Sequence, residues 1–368
     1  MSIYLIIVAL TLVLGAVMPQ RGKKRIWYIV VMTAIHTFIC AFRYNHLTGD
    51  LMKYHHTFIQ LASYRWFSPE SLNEGRNAGF YFLMKLINEM SNGDFQMVLI
   101  IIAVITHVSL GYMIWRYSSA PWMSFLVWNC MALYIFGFSA IKQALAMSVV
   151  MLSFIAISRR KLGLYVIIML IAGSIHAPAL VFLPAYWLAQ MRVNHKAIAL
   201  YIVLGILLYV FKSQFVSFIS SFYYEEDEVF VFSGEIGSRF VMLLGFAVFG
   251  ILFRGFSNPD FEKLFHLMIV AAILQMLAGF DNIFTRMADY YFQFSVLYIP
   301  MTFVEGKKGI QRSAIKTVFP FNARSMKVIT AMIVVFIVWF YYTYTINVTV
   351  EYSVDNYLNY RFMWDVQP

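Results

Sequence analysis

The chain has 368 residues, of which 61% are hydrophobic and 12% are charged, and its mean hydropathy is +0.71. An ordinary soluble domain carries about 25% charged residues, so this composition excludes a single soluble core and predicts a protein embedded in a lipid bilayer. In a soluble protein, the net charge of +10 would suggest binding to nucleic acid. In a membrane protein it predicts basic loops that set the orientation of the spans. No nucleic-acid partner is expected.

About twelve apolar runs are long enough, or nearly so, to cross a hydrocarbon core of roughly 30 Å. They lie near residues 2–19, 26–42, 95–115, 121–139, 142–158, 162–175, 177–191, 197–217, 238–254, 264–280, 287–304 and 327–347. The sequence therefore predicts an all-α, polytopic integral membrane protein of about 12 transmembrane helices, forming a single domain over 1–368. The short pair 162–175 and 177–191 is either two tilted spans or partly re-entrant. Basic residues follow the first run, which is expected to be a retained span.

Lysine and arginine residues predict the orientation of these spans. The basic clusters, among them "RGKKR" at 21–25 and "RRK" at 159–161, all fall on one side if there are twelve spans. That side is predicted to be the cytoplasm, and both termini are then predicted to be extracytoplasmic. The loop 43–94 is also placed outside, and two short amphipathic helices are expected in it, near 50–64 and 79–90.

Polar and ionisable residues gather at the predicted outer ends of the spans. Charges inside the membrane are costly, about 2.5–3.5 kcal/mol at mid-bilayer, and they usually face a cavity. A pocket of cations suits an anionic substrate, since an arginine fork fits a phosphate group, and a nearby carboxylate suits proton abstraction. The candidate residues are Arg43, Asp50, Tyr54, Glu74, Lys142, Gln143, His176, Arg239, Arg286 and Tyr290.

Several of these residues have simpler interpretations. Arg43 and Lys53 are also explained as anchors that extend to the membrane interface, Asp50 as a helix cap, and His176 as a hydrogen-bonded turn residue. Arg286 is also explained by pairing with an aspartate, either Asp281 or Asp289.

A metal site is a further alternative near Asp50. No ligand spacing supports it, and neither a metal nor a cofactor is expected. Its ligands would be His46, His55 and His56, with Asp50. The two cysteines, Cys40 and Cys130, lie in apolar runs and predict neither a disulfide framework nor metal spacing.

Six segments, in this order and spacing, resemble the EpsG family of bacterial exopolysaccharide proteins, which belongs to the Wzy-like polysaccharide polymerases. They are "FRYNHLTGDLMKY" at 42–54, "GFYFLMKLIN" at 79–88, "SAIKQALA" at 139–146, "SIHAPALVFLPAYW" at 174–187, "TRMADYYF" at 285–292 and "YLNYRFMW" at 357–364. The chain has Lys142-Gln143 where the family commonly has Arg-Gln. Its "EGRNAGF" displaces Glu74 from the family's acidic position.

The resemblance implies a glycosyl polymerase of the bacterial cytoplasmic membrane. It would join polyprenyl-pyrophosphate-linked oligosaccharide repeat units at the outer face, in exopolysaccharide, capsule or O-antigen synthesis. A chain-length regulator as partner follows by family analogy only.

The hypothesis for the mechanism assigns the residues to three roles. Asp50 is the first choice of general base, followed by His176 and Glu74. Arg43, Lys142, Arg239 and Arg286 would stabilise the pyrophosphate leaving group. Tyr54, Gln143 and Tyr290 complete the predicted substrate site, and the aromatic residues Trp66 and Tyr81 are considered for stacking on sugars.

Three other functions fit the same pattern of charges. A flippase or transporter for the same lipid-linked sugar would also need a basic pocket, although it often shows repeat symmetry, and no repeat is visible here. A polysaccharide ligase uses nearly the same chemistry. An assembly or scaffold subunit is the remaining alternative.

Overall fold

A computed structural model of the chain describes residues 3–44, 49–75, 77–215, 217, 238–253, 258–279, 282–310, 331–340, 360 and 362–364. This part of the chain is helical and contains no β-sheet, only an isolated antiparallel bridge between Arg43 and Phe362. The predicted all-α class is therefore confirmed for the described residues.

The helices follow one another with short connections. In chain order they are α1 Ile3–Val17, α2 Arg25–Ala41, α3 Gly49–Leu61, a 3-10 helix Glu70–Gly75, α4 Ala78–Ser91, α5 Gln96–Tyr117, α6 Pro121–Cys130, α7 Leu133–Phe136, α8 Ile141–Ser158, α9 Leu162–Ile175, a 3-10 helix Ala177–Phe182, α10 Ala185–Leu188, α11 His195–Val210, α12 Ser238–Phe253, α13 Pro259–Met276, α14 Asn282–Phe292, α15 Ser295–Ile310 and α16 Ala331–Phe340.

The number of membrane spans is not confirmed. Two helices in the described residues are long and apolar enough to cross a membrane, Gln96–Tyr117 and Ile141–Ser158, and seven shorter apolar helices of 10–17 residues accompany them. The two helices predicted in the loop 43–94 are present as α3 and α4.

Three predicted spans are interrupted rather than continuous. The run 121–139 divides between α6 and α7, where Ala132 has a φ of 61°. The run 177–191 contains Pro178 and Pro184, and it forms a 3-10 helix and one α-helical turn, because proline removes a backbone donor and crowds the preceding turn. The run 287–304 divides between α14 and α15.

The centre of the fold is formed by α5 and α8, which pack against each other and are mostly buried. Helix α2 packs closely along α5, and α9 packs along α8. Helix α4 reaches the end of α9 through Gly79, where any Cβ would collide with the side chain of Ser174. A glycine is therefore required for this close approach.

Besides buried polar contacts in the middle of the helices, such as His36 with Asn129 at 2.7 Å, two groups of polar contacts lie at opposite ends of α5 and α8. One end holds basic residues, with Arg25 donating to the carbonyl of Trp115 at 2.6 Å and Lys263 paired with Asp260 at 2.9 Å. The other end holds the start of α3, the start of α8 and the turn at His176. The residues predicted to form a functional site belong to this second end, which is called the α8 N-terminal end below.

Candidate active site

Asp50 lies in the first turn of α3, where a carboxylate is favoured by the helix dipole. The buried side chains of Leu51, Phe58 and Leu61 hold this amphipathic helix against the protein, and Asp50 itself is exposed. Its Oδ2 accepts a hydrogen bond from Ser139 Oγ at 3.3 Å. The contact joins two segments that are 89 residues apart in sequence.

Lys142 is the second residue of α8, next to the fully buried Ile141. Its Nζ lies 5.9 Å from the ring centroid of Tyr54, within the range of a cation–π interaction. Burial raises the pKa of Tyr54, and the neighbouring charge of Asp50 raises it further. Tyr54 is therefore a neutral phenol that can donate a hydrogen bond.

Arg286 lies on α14, and its side chain is exposed. Its backbone carbonyl accepts a hydrogen bond from Gln143 Nε2 at 3.0 Å, which ties the start of α8 to α14. Arg286 is close enough to Lys142 and Tyr54 to interact with both electrostatically. Gln143 is buried, and its side-chain amide is engaged in this contact with the Arg286 backbone; its predicted place in the substrate site stays a prediction.

His176 lies in the turn after α9 and contacts Tyr290 on α14, with Nδ1 and the phenol oxygen 2.6 Å apart. Burial lowers the pKa of His176 to about 3, and the positive charges of Lys142 and Arg286 contribute to the shift. The imidazole is thus neutral at physiological pH. Asn77 supports the turn, since its Oδ1 accepts a hydrogen bond from the Ala177 backbone amide at 3.0 Å.

Arg239 is placed beside α14 rather than at the exposed part of the site. Its guanidinium pairs with Asp289 at 2.9 Å and lies 4.5 Å from the centroid of the Phe292 ring. Asp289, considered from the sequence as a partner of Arg286, forms its ion pair with Arg239 instead. The other suggested partner, Asp281, lies outside the described residues.

Arg43 has an environment that differs from the predicted one. Only 1% of its surface is exposed, and its guanidinium donates to the carbonyls of Phe138 and Cys40 while lying 5.3 Å from the Phe138 ring centroid. Buried backbone carbonyls need donors, and Arg43 supplies them. Its position therefore indicates a structural role in joining α2 to the segment before α8.

Two other sequence-based predictions concern Glu74 and the suggested metal site near Asp50. Glu74 falls in the 3-10 helix Glu70–Gly75, but its side chain lies outside the described residues. Of the histidines in the suggested metal site, His46 also lies outside them, and the described residues contain no group of three or more histidine, cysteine, aspartate or glutamate side chains that could hold a metal ion.

The structure therefore brings Asp50, Tyr54, Lys142 and Arg286 together around one exposed region, with His176, Tyr290 and Gln143 packed behind them. Sequence reasoning did not select Ser139, although it stands at the start of the motif "SAIKQALA". It also did not select Asn77 or assign Asp289 to Arg239.

Lys142 lies close enough to Arg286 and to the Asp50 carboxylate to interact electrostatically with both, while Arg239 pairs with Asp289. Cations beside a carboxylate are suited to bind an anionic substrate and to transfer a proton. The fold and this site therefore define the class as a helical protein with such a charged site.

The chain belongs to the EpsG family, whose family model matches residues 26–362. This is a family of membrane-associated, Wzy-like polysaccharide polymerases, so membership implies a polysaccharide polymerase in exopolysaccharide synthesis. The resemblance inferred from the sequence is confirmed. No curated protein and no solved structure matches the chain significantly.

Proposed function

We propose that the protein joins oligosaccharide repeat units that are carried on polyprenyl pyrophosphate, at the outer face of the bacterial cytoplasmic membrane. The observation that supports this most strongly is the meeting of Asp50, Lys142 and Arg286, three charged residues from distant segments, at the α8 N-terminal end. Family membership supports the polymerase activity. The lipid-linked substrate and the membrane face are part of the proposal.

In the proposed reaction, a hydroxyl oxygen of the acceptor sugar attacks the anomeric carbon of the donor chain. The bond between that carbon and the pyrophosphate oxygen breaks, and polyprenyl pyrophosphate leaves. The proton of the attacking hydroxyl passes to the Asp50 carboxylate. A positioned base of this kind typically contributes about 10²–10⁴-fold to the rate.

Lys142 and Arg286 have the position and charge to stabilise the leaving pyrophosphate. Neither takes part in a salt bridge between described residues. Preorganised donors aimed at developing negative charge are typically worth about 2.7–4 kcal/mol each. Tyr54, whose ring lies beside Lys142 and which interacts electrostatically with Arg286, has a neutral hydroxyl suited to bind a sugar hydroxyl or a phosphate oxygen.

The environment of His176 favours Asp50 over His176 as the base. Asp50 is exposed, where a sugar hydroxyl can reach it, whereas His176 is buried. Its nitrogen Nδ1 is also engaged with Tyr290. In the proposed mechanism, His176 and Tyr290 form a neutral support that holds the turn against α14.

The proposal is tested by reconstituting the purified protein with a synthetic polyprenyl-pyrophosphate oligosaccharide and separating the products on a gel. A ladder of products from the wild type, absent in folded Asp50→Asn and Arg286→Ala variants, is expected. Lys53→Ala is a matched control, because Lys53 is an exposed cation on the same helix as Asp50.

Two other results would replace the proposal with a different function. Transfer of the sugar across the vesicle membrane without a ladder would indicate a flippase. Transfer of a finished chain to an unrelated acceptor, again without a ladder, would indicate a ligase.

A further inference from the structure

Helix α4 is apolar on two sides, which is unusual for a helix in a polar loop. One side, including Phe80, Met84 and Ile87, is buried against the protein. The other side carries Phe82, Leu86 and Met90, which are exposed and spaced four residues apart. Residues at this spacing lie on one face of a helix. These three side chains are called the α4 stripe below.

Two more exposed aromatic residues extend the α4 stripe. Trp66 and Phe67 contact Phe82, with ring centroids 5.7 and 5.9 Å apart respectively, and 70% of the Phe67 surface is exposed. Phe67 has a φ of 60°, a left-handed conformation that is unfavourable for a bulky side chain. The fold thus holds a large apolar side chain outward at a conformational cost.

Three charged residues lie near the α4 stripe: Lys85, whose ammonium is 5.5 Å from the Trp66 ring centroid, the partly exposed Glu89, and the exposed Arg65 beside Trp66, which can extend to the polar headgroups. Helix α4 contains two charged residues, Lys85 and Glu89. The Lys85 ammonium is buried, where it donates to the Leu61 carbonyl at 2.8 Å and pairs with Glu89 at 2.8 Å. An isolated interfacial helix exposes a polar face to water. In α4, the corresponding face packs against the rest of the protein instead.

Helix α4 packs against α9, which has an exposed apolar surface of its own. The two helices meet at Gly79 and Ser174, and α9 exposes Ile167, Leu170 and Ile171 and carries no charged residue. In a membrane-associated family, such an exposed apolar face is covered by lipid chains.

We propose that Trp66, Phe67 and the α4 stripe insert into the lipid bilayer at its interface and anchor the α3–α4 unit there. A lipid surface is favoured over a sugar, because Leu86 and Met90 offer no hydrogen bonds and carbohydrate recognition needs polar partners beside aromatic rings. The anchor fixes the height of α3, and hence of Asp50, relative to the membrane surface. This inference does not depend on the proposed reaction.

Spin labels on single introduced cysteines test the anchor in reconstituted vesicles. The native Cys40 and Cys130 are buried, so labels are directed to Phe67→Cys, Leu86→Cys and Met90→Cys. Ser63→Cys is the matched control, since Ser63 is exposed and polar in the same unit. Met90→Cys removes the least packing, because 77% of the Met90 surface is exposed.

The labels at 67, 86 and 90 are expected to collide with lipid-soluble oxygen and to be protected from a water-soluble nickel chelate, with the reverse preference at 63. The same chelate accessibility at 86 and 90 as at 63 would overturn the proposal. Protection of the labels by added oligosaccharide, rather than by lipid, would also overturn it and would assign the surface to sugar binding.

Discussion

Ser139 Oγ donates a hydrogen bond to Asp50 Oδ2 at 3.3 Å, so a buried residue just before α8 contacts an exposed carboxylate on α3. Ser139 is held by the turn that joins α7 to α8, in which its carbonyl accepts from the Ile141 amide at 2.8 Å. The carboxylate proposed as the base is thus oriented by the same segment that presents Lys142. This contact connects the loop 43–94 to the central helices.

Ser139→Ala is expected to lower the rate of polymer formation by about tenfold. The lost hydrogen bond is made to a charged group and is worth about 1.5 kcal/mol, and Asp50 would no longer be held in one orientation. Ser139→Thr keeps the hydroxyl and is expected to retain most of the activity. Steady-state rates of both purified variants test this. Equal rates for Ser139→Ala and the wild type would show that this contact does not position the base.

Asp50→Asn is expected to lower the rate by about 10²–10⁴-fold, as for the loss of a general base. The substitution keeps the size of the side chain and its ability to accept from Ser139, so binding and folding should be little changed. Rates measured at saturating substrate separate a catalytic effect from weaker binding. An Asp50→Asn protein that is as active as the wild type would exclude Asp50 as the base.

Lys142→Ala and Arg286→Ala are each expected to lower the rate by about 10²–10³-fold, because each removes a cation proposed to stabilise the leaving group. Lys142→Arg keeps the charge and is expected to remain active. Rates are compared with those of the Lys53→Ala control, whose substitution lies on α3 outside the proposed contacts. Equal losses in the control and in Arg286→Ala would indicate a general effect of surface charge.

Arg43→Ala is expected to lower the stability of the folded protein. Removing the guanidinium leaves buried carbonyls of Phe138 and Cys40 without this donor, at a cost of about 1–3 kcal/mol for each unsatisfied group. A lower midpoint of thermal unfolding in detergent, with a nearly normal rate per folded molecule, is the expected result. An Arg43→Ala protein of normal stability that has lost its activity would indicate that Arg43 belongs to the substrate site.

The stability of the protein is expected to fall as pH decreases from about 6.5 towards 3. In this window the unfolded chain binds a proton at His176, with an ordinary pKa of 6.5, while the folded protein does not bind it until about pH 3. This difference in proton binding at His176 changes the free energy of unfolding by at most about 1.4 kcal/mol per pH unit. The stabilising contribution of the neutral His176 is fully present above pH 6.5.

His176→Gln removes this titrating group and keeps a hydrogen-bonding side chain towards Tyr290. Its thermal midpoint is expected to depend less steeply on pH between 6.5 and 3 than that of the wild type. His56→Gln, a change of an exposed histidine on α3, is the control. An unchanged slope in His176→Gln would contradict the buried, neutral state assigned to His176.

The helices of the chain could largely be predicted from the sequence, since long apolar runs and amphipathic spacing correspond to α2, α4, α5 and α9 nearly to the residue. The break at Ala132 could not, because a left-handed alanine has no sequence signal. One apolar run in the sequence can therefore correspond to two separate helices in the structure.

Part of the candidate site was also predictable. The prediction that charges share one side selected Asp50, Lys142 and Arg286, and these residues do meet. The same reasoning grouped Arg43 with these residues. The buried position of Arg43 depends on a contact with Phe138, 95 residues away in the chain, which the sequence does not reveal. Ser139 carries no charge, so only the three-dimensional structure identifies it.

The most direct test of the account is to count polyprenyl pyrophosphate released for each glycosidic bond formed, using substrate labelled in the polyprenyl chain. The wild type is expected to release one molecule for each bond, while folded Asp50→Asn and Arg286→Ala proteins release almost none. Bond formation that continues unchanged in both variants, or a folded wild type that releases no polyprenyl pyrophosphate while moving substrate across the membrane, would contradict the proposed polymerase site.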